Sequence, residues 1–298
     1  MAEEIKAGLV GGDRRMLSTA SCLSERYECA VWGFSKIYGG ADEEYLKNSV
    51  KCVDWMSAVS ESDVVVLPLP VSGDGVHLRT PLEKNRAEPA LIEICGRMKR
   101  GSLLLGGMLP PFAVRFAEEC GIECVDYYDC EEMQILNSVP TAEGAIKACM
   151  DELDITVSGM KAAVIGYGRV GRTLANKLKM LGADVFAVAR SKKDLSWAKC
   201  DGCIPTPLSE YREVPLRCDA VFNTVPALVF DEELLNRLEK KTVLFELAAK
   251  NSGVDLKSAE RVGIRTVCLP SLPGKVAPET AGEIICGVVG SIISEKLK

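Results

Sequence analysis

The sequence predicts an α/β protein of two domains, each a parallel sheet wound by helices on both faces. Three observations carry this. Short apolar runs alternate with helical patterns along the whole chain. The alternation pauses near residue 140 and starts afresh at Lys161. The 298 residues suffice for two ordinary domains, each able to bury its own core.

In the first half, a strand over Ile5–Val10 ends in Gly11-Gly12-Asp13, and a helix follows over 14–25. A second strand runs over Cys29–Trp32. Asp63–Leu67, closed by Pro68, is a continuous apolar run of the kind found in strands covered on both faces. Ser102–Leu105 reads the same way, and Ile122–Val125 follows a helix over Pro111–Cys120. In the second half, strands are expected at Ala162–Ile165, Val185–Ala189, Ala220–Asn223, Val243–Glu246 and Arg265–Cys268. Helices fall between them, among others at Val170–Leu181 and Asp231–Leu238.

Two helical stretches read as connections. One is expected over Thr141–Asp151, capped by the Ser138-Val139-Pro140-Thr141 turn with Glu143 in its first turn. The other opens at Pro278-Glu279. There Ala281, Ile284, Ile285, Val288, Val289, Ile292 and Ile293 recur at helical spacing, which demands a buried face. The expected plan is a first domain over 1–140 completed by the returning helix 278–298, a connecting helix over 141–151, and a second domain over 152–275. A ligand cleft between the two domains, beyond their strand ends, fits this plan.

Composition narrows the function classes. A net charge of −6 argues against a general nucleic-acid binder, which carries a basic excess. No apolar run approaches the ~18 residues of a membrane span. The N-terminus lacks the basic start and apolar stretch of an export signal, so a cytoplasmic location is expected. The thirteen cysteines are then expected as reduced, mostly buried thiols. Cys200 and Cys203 form a CxxC, but no second cysteine or histidine pair accompanies it, and no metal site is expected.

The chemistry is concentrated at Gly166-Tyr167-Gly168-Arg169-Val170-Gly171, a GxGxxG. Alone this is a weak signal. Here the strand Ala162–Ile165 runs into it, Leu174, Leu178 and Leu181 mark a helix leaving it, and the strand Val185–Ala189 follows. That is a complete βαβ unit of the Rossmann type. Gly166 suits a tight turn, Gly168 lets a pyrophosphate approach the backbone, and Gly171 lets helix and strand pack closely. The first amides of the helix then favour phosphate. At the end of the next strand, NAD readers place an acidic residue. This chain has Arg190, Ser191, Lys192 and Lys193. A guanidinium can grip a 2′-phosphate that a carboxylate would repel, so NADP(H) is the expected cofactor. Asn223-Thr224-Val225-Pro226, at a later strand end, is expected beside the nicotinamide ribose.

Further motifs accompany this one. Gly11-Gly12-Asp13-Arg14, Asn137-Ser138-Val139-Pro140-Thr141-Ala142-Glu143-Gly144, the glycine motif, Ala189-Arg190-Ser191 and Leu272-Pro273-Gly274-Lys275-Val276-Ala277-Pro278 occur in order along the chain. Together they resemble the dipicolinate synthase A-subunit family over essentially the whole length. The match departs at Ala249-Lys250-Asn251-Ser252-Gly253, where a more arginine- and glycine-rich loop is expected. The resemblance implies oxidation of dihydrodipicolinate to dipicolinate, with NADP+ accepting the hydride, in the mother cell of a forming spore. It also implies a partner, the flavoprotein-like B-subunit of dipicolinate synthase. A homo-oligomer is compatible with the sequence but not specified by it.

A planar dicarboxylate needs cationic or hydroxyl-bearing partners. Arg14, with Arg15 at the same helix start, is one candidate. Asn137, Ser138 and Thr141 are candidates at the expected start of the connecting helix, and Lys275 is another in a proline-bounded loop. The competing reading of Arg14 is a solvated helix end, and that of Thr141 is a cap. For the base, Glu143 and Asp13 are rivals, and Glu143 reads equally as a helix-start charge. His77, the single histidine, is a weaker candidate in a polar loop. Two other functions compete. A D-2-hydroxyacid dehydrogenase shares the two-domain plan but needs a histidine late in the chain, and none follows residue 77. A nucleotide-binding regulatory or scaffold subunit, active only with its partner, is the second alternative that the residues leave open.

Overall fold

The computed structural model describes residues 5–37, 50–84, 88–248 and 253–297. The divergent loop residues 249–252 lie outside them. The chain divides into two compact units, Met1–Leu136 with Ala277–Lys298, and Asn137–Val276.

The first unit contains β1 (Lys6–Val10), α1 (Arg14–Leu23), β2 (Glu28–Trp32), β3 (Val50–Cys52), α2 (Trp55–Ser60), β4 (Val64–Val66), α3 (Leu91–Arg97), β5 (Leu103–Gly106), α4 (Pro111–Glu119) and β6 (Glu123–Asp126). The six strands are parallel in the order β3-β2-β1-β4-β5-β6. Strand alternation splits the core between two faces. Ala7, Leu9, Val64 and Val66 point to one, and Val10 and Val65 to the other. Gly8 on β1 is required by α2, since a Cβ there would sit 2.0 Å from the Ala58 carbonyl oxygen.

The second unit contains the C-terminal part of α5 (Glu131–Glu152), then β7 (Lys161–Ile165), α6 (Arg169–Met180), β8 (Asp184–Ala189), α7 (Lys192–Cys200), β9 (Ile204–Pro207), α8 (Leu208–Glu213), β10 (Ala220–Asn223), α9 (Glu232–Arg237), β11 (Val243–Glu246), α10 (Leu256–Val262), β12 (Arg265–Cys268) and α11 (Leu272–Val276). Its parallel order is β12-β11-β10-β7-β8-β9. Both sheets are therefore doubly wound with the same internal sequence of crossovers. In each, the strand order reverses beside the first strand, where such sheets bind ligands. Phe222 and Phe245 stack at 4.9 Å between β10 and β11, and Ala142, Ala145, Ile146 and Cys149 of α5 join the core on the same face.

The last helix, α12 (Pro278–Lys296), belongs to the first unit and packs along α1. Ile285, Val288, Val289 and Ile293 are buried in its core. Gly282 makes the close approach feasible, because a Cβ would fall 2.3 Å from the Arg15 carbonyl oxygen. The Thr19 hydroxyl donates to the Gly282 carbonyl at 3.0 Å. The expectation of reduced thiols is corrected here. Cys22 of α1 and Cys286 of α12 form a disulfide, with Cα atoms 6.2 Å apart and a sequence separation of 264. The helix pairing brings together two cysteines that sequence distance gave no reason to pair. Such a long closed loop favours a large chain-entropy effect. Cys22→Ser is expected to lower stability by roughly 2–4 kcal/mol in oxidising buffer and by little after reduction. Denaturant titrations with and without dithiothreitol check this.

Two local expectations are also corrected. The connecting helix does not start at Thr141. α5 starts earlier, in the polar Glu131-Glu132 stretch, and passes through Pro140. A proline ring costs the carbonyl four residues before it a partner, which usually ends a helix. The carbonyl so deprived is that of Leu136; the helix continues all the same, and the Thr141 hydroxyl adds a bond to the Asn137 carbonyl at 2.7 Å one position on. Likewise, Lys275 lies in the short helix α11 rather than a loop.

Candidate functional site

The glycine turn has the shape a dinucleotide needs. Gly166 leaves β7 with φ +92, a conformation that favours glycine, and its amide donates to the Val188 carbonyl at 2.8 Å. A Cβ on Gly171 would lie 2.1 Å from the Gly166 carbonyl oxygen, so only glycine lets α6 come this close. A Cβ on Gly168 would meet nothing within 4 Å. That open side fits an approaching pyrophosphate. Gly168 caps α6 without a side-chain hydrogen bond, so the helix start presents a glycine backbone rather than a capping side chain on that side. The residues thus fit a dinucleotide.

Tyr167 contributes backbone only. Its side chain is in the core, and its hydroxyl donates to Asp201 at 3.0 Å. Asp201 also accepts Arg172 Nε at 2.7 Å, and the Arg172 guanidinium lies 4.3 Å from the centroid of Trp197. Arg172 and then burial set the Asp201 carboxyl, with a net effect below the usual range. This knot ties α6 to α7 beside the end of β8. There Arg190, Ser191 and Lys192 are exposed together, and Ser191 caps α7 by accepting the Asp194 amide at 3.0 Å. The serine oxygen accepts this bond while its O–H remains a donor, and the basic side chains beside it are exposed.

At the end of β10 the placement differs from the expectation. Thr224 and Val225 underlie the glycine turn: a Cβ on Gly166 would meet Thr224 Oγ1 at 2.6 Å and Val225 Cγ2 at 2.9 Å. Asn223 does not face a ligand. It is fully buried, and its amide nitrogen donates to both oxygens of Glu246, at 3.1 and 3.0 Å. Pro226 is exposed beyond them.

The substrate and acid–base candidates are scattered over both units. Asp13 caps α1 and binds Arg15 through two hydrogen bonds of 2.8 Å, with Arg79 at 3.7 Å. Burial acts to raise its pKa, but Arg15 outweighs it and holds the carboxyl below the usual range. A carboxylate engaged by Arg15 on both oxygens and held as an anion is a weaker proton acceptor than a free one, which counts against Asp13 as the base. Arg15 itself is buried and donates to the Leu69 carbonyl, while Arg14 opens α1 on the exposed side. Gly12 does not repeat the open glycine of the second unit, because Met16 and Pro68 fill its side.

His77 is exposed and bonds Asp74 at 2.7 Å, which raises its pKa. Glu143 is half exposed and paired with Lys177 at 2.7 Å. Ser138 is buried against Thr173 Oγ1 at 2.8 Å, and Thr141 is spent on Asn137. An anion site on a helix start at Thr141 is thereby removed, since these residues lie inside α5. Asn137 retains a buried side-chain oxygen that meets no donor among the described residues. Lys275 is exposed. Sequence reasoning missed Arg79, Asp201 and Glu246. A strand-end glutamate in an apolar run, at Val243-Leu244-Phe245-Glu246, was the available signal for the last.

Comparison with known proteins matches both units. Residues 6–128 match the N-terminal domain of the dipicolinate synthase A-subunit. Residues 140–249 match the NAD-binding domain of D-isomer specific 2-hydroxyacid dehydrogenases. The chain is 29% identical over 297 residues to the dipicolinate synthase A-subunit of Bacillus subtilis, covering 99% of this chain and 98% of that one. The chain is similar to the dipicolinate synthase A-subunit family along its whole length. The crystal structure of the Bacillus subtilis protein superposes with a TM-score of 0.86 at 27% identity, over 100% of this chain and 98% of that one. The corresponding structure from Bacillus halodurans gives 0.85 at 28% identity, over 97% of each. Within the family frame, the second unit is a dehydrogenase-type nicotinamide-binding domain, and its glycine turn is the candidate cofactor site. No helix among the described residues is long and apolar enough to cross a membrane.

Proposed function

We propose that this chain is the NADP-dependent oxidoreductase component that converts dihydrodipicolinate to dipicolinate in the mother cell of a forming spore. The carrying observation is the open Gly168 turn between β7 and α6, with Arg190 and Lys192 exposed at the end of β8. Relatives named as the dipicolinate synthase A-subunit support the substrate. A bound nicotinamide would supply the hydride acceptor. The chain's residues supply the rest: the first amides of α6 hold the pyrophosphate, Arg190 and Lys192 hold the 2′-phosphate, and Thr224 and Val225 shape the floor. The dihydropyridine ring loses one hydride and one proton, and the product is aromatic. Arg14, Asn137 and Lys275 are assigned to the substrate carboxylates, and Glu143 to the proton, with His77 as the weaker base. The B-subunit of dipicolinate synthase is assigned as the partner.

The test mixes the purified chain with dihydrodipicolinate and NADP+ and follows absorbance of the reduced nicotinamide. Turnover by the chain alone supports a catalytic role. Activity that emerges only on adding the B-subunit supports the dependent, scaffold-like role. Silence in both sinks the reaction. Arg14→Ala is expected to raise KM for the dicarboxylate about tenfold or more, through loss of a charge-assisted bond. An unchanged KM removes Arg14 from the site.

A further inference from the structure

We infer that Glu246 is a positioning residue for the dinucleotide turn, holding the chain after β10 in place through Asn223. This rests on the nicotinamide reading of the second unit. Glu246 ends β11 directly opposite Asn223 on β10. It is fully buried, a rare place for a carboxylate that no cation partners among the described residues. All the described groups that bond its oxygens are donors. Asn223 Nδ2 bonds both oxygens, and the Ala248 amide donates to one at 2.7 Å. A ring of donors suits an ionised carboxylate, not a neutral amide.

The connection from Glu246 to the glycine turn is continuous. Asn223 Nδ2 also donates to the Val225 carbonyl at 3.1 Å, and its Oδ1 accepts the Val225 amide at 3.3 Å. Asn223 thus folds the 223–225 backbone into a tight loop around its own side chain. That loop puts Val225 Cγ2 and Thr224 Oγ1 against Gly166, and Thr224 donates to the Ile165 carbonyl at 2.9 Å. Gly253 closes the other side: a Cβ there would lie 1.9 Å from Asn223 Nδ2. With the carboxylate in place, the Asn223 amide has one orientation that satisfies all partners. Without it, the amide is free to flip, and the floor under Gly166 loses its template.

Burial pushes the Glu246 carboxyl above the usual range. Cys268, paired with Glu246 across β12, is the titratable neighbour among the described residues, and it is itself pushed up by burial and then by this carboxylate. Protonation of Glu246 replaces an acceptor with a donor facing donors. Cofactor affinity should therefore fall on the acid side at a pH above that expected for an exposed glutamate.

The experiment measures the dissociation constant for NADP+ by calorimetry across pH, for the full chain and for Glu246→Gln, Asn223→Ala and the double variant. Amide hydrogen exchange over 223–228 is followed in the absence of cofactor. Each single variant should weaken binding about tenfold, and the double variant no more than either. Glu246→Gln should lose the acid limb and exchange faster over 223–228, with exchange elsewhere in the unit unchanged. Additive effects, unchanged affinity or a retained acid limb overturn the inference while leaving the cofactor site intact. If Glu246→Gln does not fold, Asn223→Ala decides: unaltered affinity and exchange overturn it. A wild-type chain that binds neither NADP+ nor NAD+ overturns both the inference and the reading it rests on.

Discussion

Gly168→Val is expected to leave the fold intact and to cost most of the dinucleotide affinity. The backbone there is extended, at φ −79 and ψ −163, so valine introduces no strain. Its Cβ meets nothing within 4 Å, so the unfolding free energy should stay within about 0.5 kcal/mol of wild type. The isopropyl group instead occupies the space where a pyrophosphate must approach the amides. Loss of even one charge-assisted bond corresponds to roughly 10- to 100-fold in Kd. Gly171→Val is the contrasting control. Its Cβ falls 2.1 Å from the Gly166 carbonyl oxygen, so α6 must move away from β7. More than about 2 kcal/mol of stability should be lost, together with binding. Equilibrium denaturation and calorimetric titration on the same samples separate the two effects. A Gly168→Val chain that binds as tightly as wild type would show that no phosphate lies over that turn.

Arg190→Ala is expected to reverse the cofactor preference. A guanidinium on a 2′-phosphate makes bonds worth about 2 kcal/mol, so Kd for NADP+ should rise about thirtyfold. NAD+ has no phosphate there, and its Kd should hardly change. The side chain is exposed, so the fold gives no reason for a loss of stability. Raising the salt concentration should weaken NADP+ binding to wild type more than to the variant, because the contact is screened. Equal and unchanged affinities for both dinucleotides would assign the preference to another group.

Much of this architecture was legible because parallel strands buried on both faces advertise themselves. Val64-Val65-Val66 and Leu103-Leu104-Leu105 can be little else when turn residues bound them. The strands that escaped notice are edge strands. β3 is three residues with its last two exposed, and β9 is Ile204-Pro205-Thr206-Pro207, whose prolines are tolerable only because one side of an edge needs no donors. The helix α5 escaped for a related reason. Pro140 normally argues for a helix start, and nothing in the local pattern shows that the helix has already begun at Glu131 and runs on through it.

The cofactor turn was readable because its glycines act through their own backbone, and each does so within a single short motif. The other site residues depend on partners far away in sequence or on the fold around them. Asp13 read as a candidate base although Arg15 stands two residues away, because only the fold turns that guanidinium back onto it and adds Arg79, and Glu246 had no visible role until β10 brought Asn223 beside it. A spacing pattern reports what a residue can do. Its charge state is decided by neighbours that only the fold supplies.

The return of α12 to α1 also dictates an order of completion during synthesis. When the stretch up to Leu136 has left the ribosome, one face of the first sheet still lacks Ile285, Val289 and Ile293, which are translated after the whole of the second unit. The unit over Asn137–Val276, contiguous in the chain, has all its strands beforehand. The first unit is thus completed by a segment that follows the second, and a nascent chain stalled before residue 278 would hold all strands of the second unit while the first still exposed an apolar face to water.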